Sequence, residues 1–112
     1  MREKTPMELL KEIAPEFAQS QMNDKKTLFD DEKYQQIPKK YKFLIGLATA
    51  AALGSDMCTR MWTKQAIASG ANKSEVTEAM MVARFLKQAT VNDTIASSIE
   101  TYMLQDEGEK NE

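Results

Sequence analysis

Apolar residues recur at helical spacing along nearly the whole chain. Leu9, Ile13 and Phe17 lie four apart, the interval that gathers side chains on one face and predicts a buried stripe over residues 6–22. Pro15 falls inside that stripe; it lacks an N–H and crowds the carbonyl four residues earlier. Either a kink or two short helices meeting at Ala14 is expected. Residues 23–36 are polar and charged, with Phe29 and Tyr34 as isolated anchors, and read as a connector holding about one helical turn. Pro38 opens the next helix, since proline is tolerated at the first helical position. From Phe43 to Gly54 almost every residue is apolar and many are alanine (Ala48, Ala50, Ala51, Ala52). This reads as the central buried helix, with small side chains allowing close approach of its neighbours.

Ser55 then caps a helix that runs to Ser69, and Gly70 supplies its left-handed stop. Asn72 and Glu75, three apart, form a capping-box pattern opening a helix that buries Val76, Ala79, Met80, Ala83 and Leu86. A last helix over residues 92–105 carries Ile95, Ile99, Tyr102 and Met103. Residues 106–112 have no apolar content and are expected to fray. No alternating pattern of strands occurs. The expectation is an all-α domain of five to six helices over residues 1–105.

Length and charge narrow the function. With 112 residues the chain supports one hydrophobic core, and self-association would cover what that core leaves exposed. A net charge of −2 gives no footprint for nucleic acid; Lys39, Lys40 and Lys42 read as a solvated helix start. The longest apolar run falls well short of the roughly 20 residues that cross a bilayer, so no membrane partner is expected. Met1 to Lys4 run into charge rather than an apolar segment, unlike a secretory leader. A single cysteine, Cys58, forms no internal disulfide and points to a reducing, cytoplasmic setting. There is no histidine, which excludes Ser-His and Cys-His pairs and any histidine-containing zinc site within one chain. No metal or cofactor is expected.

The remaining candidate chemistry lies around Cys58. With Ser55 as N-cap, Cys58 falls in the first helical turn, where the helix dipole and unpaired N–H groups favour a thiolate; Asp56 opposes this. The alternative is a buried thiol that acts as a small hydrophobe. Trp62, four residues on, shares its face and serves either as packing or as a ligand-stacking surface. Met57, Met61, Met80 and Met81, from 8 methionines in all, fill gaps or line an adaptable apolar surface. Glu75 and Glu78 read as capping and solvating groups.

Residues 38–58 (PKKYKFLIGLATAAALGSDMC) and 62–76 (WTKQAIASGANKSEV) resemble the carboxymuconolactone decarboxylase and alkylhydroperoxidase D-like (AhpD-like) family. The likeness is clearest over residues 37–86, in its helix pattern, small-residue positions and Gly-Ala turn. It implies that family's all-α fold and assembly into homo-oligomers, trimers or hexamers. The peroxidase branch carries a glutamate, a Cys-x-x-Cys pair and a histidine four residues after the second cysteine. The resemblance places Phe43 at the glutamate, Ser55 at the first cysteine, Cys58 at the second and Trp62 at the histidine, so one of the four survives. The decarboxylase branch's histidine on this helix is absent as well. The leading expectation is a divergent, oligomeric member that binds a small apolar or quinone-like ligand, or is non-catalytic, with a pocket of Phe43, Ser55, Cys58 and Trp62. The alternative is a one-cysteine thiol peroxidase with Cys58 as its catalytic group and an external reductant. A partner-binding subunit that docks through methionine-rich faces is a third possibility.

Overall fold

The computed structural model describes the backbone of residues 3–111 and side chains through residue 108. The leader reading at Met1 and Arg2, and the end of the tail at Glu112, lie outside the described residues. The described residues form five α-helices and a short 3-10 turn, without a strand. None of these helices is long and apolar enough to cross a membrane. The chain divides into two compact units, residues 1–39 and 40–112.

In the first unit, α1 (Pro6–Ile13) begins at a complete capping box: Thr5 Oγ1 accepts from the Glu8 N–H at 3.2 Å, and Glu8 accepts from the Thr5 N–H at 3.3 Å. Ala14, at φ −149° and ψ 68°, ends α1 and precedes Pro15, the first residue of α2 (Pro15–Asp30). Pro15 therefore separates two helices rather than kinking one. Leu9, Ile13 and Phe17 do not form the expected buried stripe: Ile13 is 83% and Phe17 72% exposed. The break at Ala14 takes residues on either side of it off a common helix face. The connector expected over residues 23–36 is also mostly helix, because lysine, glutamine and aspartate make a solvated helix face without ending the helix. Within it Phe29 is buried and Tyr34 is not. Asp31 caps the 3-10 turn Glu32–Tyr34, and the Gln35 side-chain amide donates to the Leu28 and Asp31 carbonyls, closing the end of α2.

The second unit holds α3 (Lys39–Ala52, whose first residue belongs to the first unit), α4 (Asp56–Ala68) and α5 (Lys73–Asn111). Gly54 at φ 80° and Gly70 at φ 101° make the two reversals between them, a conformation that costs other residues a clash at Cβ. α3 is buried along one side only. Phe43, Leu44, Leu47 and Ala50 are inside, while Ile45 is half exposed. Ala66, Ala71, Val76 and Ala83 complete the buried set of this unit. Small residues dominate that set, consistent with backbones in close approach.

The largest departure from expectation is α5. The sequence pattern predicts two helices with a break near residues 87–91, followed by a frayed tail; instead one 39-residue helix continues to Asn111. The segment between the expected pair has no Gly or Pro, so nothing there interrupts the hydrogen-bond ladder. Val76 and Ala83 are buried as expected and Ala79 and Met80 half-buried, but Leu86 is exposed. Beyond Ala83 no described side chain of α5 is buried.

Candidate functional site

Ser55 leaves the Gly54 turn in an extended conformation and caps α4: its Oγ accepts from the Cys58 N–H at 3.2 Å. Its carbonyl receives both the Thr59 N–H and the Thr59 hydroxyl. Cys58 is thereby fixed in the first turn of α4, at the positive end of the helix dipole. Its side chain is exposed, so the buried-hydrophobe alternative does not apply to this chain. Asp56, the nearby anion, has its carboxylate 3.4 Å from the Arg60 guanidinium. Both groups are well exposed, and water screens such a pair.

One helical turn after Cys58, Trp62 reaches α3. Its ring lies 5.6 Å from that of Phe43, centroid to centroid, with the planes tilted by 45°, an ordinary arrangement for aromatic pairs. Phe43 is buried and Trp62 half-buried. Beneath the indole sits Gly46: a Cβ there would fall 2.8 Å from Trp62 Cε3 and 2.9 Å from Cδ2. The indole rests on bare backbone. Gly46 is the position-setting residue that reading by motif passes over. Its signal is a glycine in mid-helix, which costs about 1 kcal/mol against alanine and so marks a close approach.

The structure thus brings Phe43 to Trp62, and Ser55 to Cys58, as two adjacent pairs along α4. An ion pair braces the scaffold. Lys40 Nζ lies 3.0 Å from Glu75 Oε2, and Glu75 also closes the expected box with Asn72, through bonds of 3.0 and 2.9 Å. The Asn72 N–H, and then the Lys40 ammonium, hold the Glu75 carboxyl below its ordinary range. Glu75 in turn raises the Lys40 pKa. Among the described residues no cluster of three or more cysteines, aspartates and glutamates is placed to hold a metal ion. Two open grooves lie elsewhere in this unit, one along residues 92–107 of α5 and one between Ala51 and Ala52 of α3 and residues 80–91 of α5.

A helical unit with a small-residue core, a Gly-Ala turn and a capped cysteine on α4 defines a class of protein, and comparison with known families identifies it. The family model described as the carboxymuconolactone decarboxylase family matches residues 16–93. The chain belongs to that family. A crystal structure of a protein from Methanobacterium thermoautotrophicum is similar at 26% identity and a TM-score of 0.72, covering 82% of this chain and 96% of that one. No curated protein matches the sequence.

Proposed function

We propose that this chain is a divergent, self-associating member of its family that acts by binding or assembly, with a small apolar or quinone-like molecule as its ligand at the Trp62 face. The observation that carries the reading is the Phe43–Trp62 contact. The resemblance assigns these two positions to the glutamate and histidine of the peroxidase relay. Here they meet as hydrocarbon against hydrocarbon, and neither accepts or donates a proton to Cys58 chemistry. A half-buried indole seated on Gly46 supplies an aromatic, amphipathic side chain of the kind that stacks on a flat apolar molecule. Self-association, as trimer or hexamer, is supported by the apolar side chains that α5 leaves uncovered, including Val91, Tyr102 and Met103.

Trp62 is the only tryptophan, so its fluorescence reports on this face directly. Titrating Cys58→Ser protein with a water-soluble quinone should give saturable quenching, which Gly46→Ala weakens. Quenching that is linear in quinone and indifferent to Gly46→Ala would contradict the binding reading.

A second reading is favoured by the exposure of Cys58 in the first turn of α4. In a one-cysteine peroxidase the Cys58 thiolate attacks a peroxide oxygen and the O–O bond breaks. The leaving oxygen takes a proton, and the sulfur becomes a sulfenic acid. Two equivalents of an external thiol then return Cys58 and give water and a disulfide. Peroxide turnover by purified protein with added thiol, abolished by Cys58→Ser, would establish this reading in place of the first.

A further inference from the structure

The second half of α5 carries an apolar face that its own unit leaves open. Val91 is 51%, Ile95 43% and Tyr102 56% exposed. The order of residues along this face is symmetric. Counting outward from Ile95, four positions reach Val91 and Ile99, seven reach Gln88 and Tyr102, and eleven reach Arg84 and Asp106. At 3.6 residues per turn all seven lie within about 80° of arc. The eleven-residue interval corresponds to about 3.67 residues per turn, close to the natural helix, so the stripe follows one side of α5 with little supercoiling.

The ends of this stripe carry opposite charge, which decides what fits it. A second α5 laid antiparallel about a two-fold axis at Ile95 sets Ile95 on Ile95 and Val91 on Ile99. It also sets Gln88 beside Tyr102 and Arg84 against Asp106, each pair made twice. A parallel copy would instead place Arg84 by Arg84 and Asp106 by Asp106. The groove along residues 92–107 takes in only Ile95 and Ile99 of the stripe; the second, beside Ala51 and Ala52, is lined by Arg84, Gln88 and Val91. In the antiparallel arrangement the partner's Ile99-to-Asp106 segment lies along this second groove, where the two alanines leave room for it. The paired stretch, residues 84–106, is about 34 Å long at 1.5 Å per residue.

We infer that a second copy of this chain covers this face, α5 against α5, antiparallel, with Ile95 on the two-fold axis. The inference rests on the self-association proposed above, in its hexameric form, and gives it a specific contact: a two-fold pairing joins subunits of two trimers and does not itself close a trimer. The test uses the full chain in a Cys58→Ser background. Ile95→Cys should oxidise to a covalent dimer at low protein concentration, and Ser97→Cys, on the opposite side of α5, should cross-link far more slowly. Without cysteines, Arg84→Glu and Asp106→Arg should each raise the dissociation constant by about three- to tenfold, the scale of exposed ion pairs. The double reversal should return it close to the parent value. An assembly that persists in sedimentation while the Ile95→Cys variant fails to cross-link, or in which the two reversals simply add, overturns the antiparallel contact and leaves self-association standing. A monomer at all concentrations overturns both.

Discussion

The stretch from Phe43 to Ala83 and the rest of α5 belong to the same unit, yet they are held by different means. The first has its chain reversals at positive-φ glycines, its helix starts capped by Ser55 and Asn72, and Phe43, Leu44, Leu47 and Ala66 buried. The second has a continuous backbone ladder and threonine hydroxyls bonded back to earlier carbonyls, at Thr90, Thr94 and Thr101, but among the described residues no buried side chain beyond Ala83. A helix in water draws most of its stability from packing an apolar side. The first stretch supplies that packing from within the chain. The second presents an apolar side that the chain itself leaves unpacked, and it is there that the proposed association would act.

Substitutions should separate the two regions by size of effect. Phe43→Ala removes a buried aromatic together with the Trp62 contact and should cost about 3–5 kcal/mol in chemical denaturation. A loss below about 1 kcal/mol would mean that the ring pair is not part of the core. Gly46→Ala should be destabilising by up to about 2 kcal/mol net. The added methyl displaces the indole at a cost of about 1–3 kcal/mol, while the gain in helix propensity is about 1 kcal/mol. Trp62 emission should move to longer wavelength, and a stabilised variant with unchanged emission would refute the close seat. Removing a cap by Asn72→Ala should cost about 1 kcal/mol.

Acid should act on the first region through Glu75. Its folded pKa is depressed from 4.5, so the stability it contributes is present above that value and is lost as pH falls below it. Comparing Glu75→Gln with the parent between pH 7 and pH 3 should show the difference in stability shrinking below about 4.5; a constant difference would rule out the carboxylate as its source. The Lys40 contribution, with a pKa raised from 10.5, has the opposite sense and is lost only as pH rises above that value. The smallest effect should come from the second region: in dilute protein Tyr102→Ala should change unfolding stability by less than about 0.5 kcal/mol.

Local signals in the sequence carried much of this architecture. Ser55, Gly70 and the Asn72–Glu75 box each mark a helix terminus where the structure has one, and the absence of alternating patterns agrees with the absence of strands among the described residues. What the sequence concealed had two causes. Polar composition in residues 23–30 signals solvation, and a solvated helix looks like a connector when judged by hydrophobicity alone. Around residues 87–91 a dip in the buried pattern resembles a turn, although no residue there can end a helix. For the site, the Phe43–Trp62 pairing followed from a resemblance rather than from spacing, since the two lie on different helices. Gly46 shows the physical reason such pairs are hard to read: the partner of a small residue is invisible until the helices are placed.

The most direct test of the contrast is amide hydrogen exchange measured at several protein concentrations. Protection within residues 43–83 should be independent of concentration, whereas protection within residues 84–106 should rise as the protein is concentrated and fall in Arg84→Glu. Equal, concentration-independent protection along the whole of α5 would contradict the account, showing that the second half of the helix holds itself without a second copy.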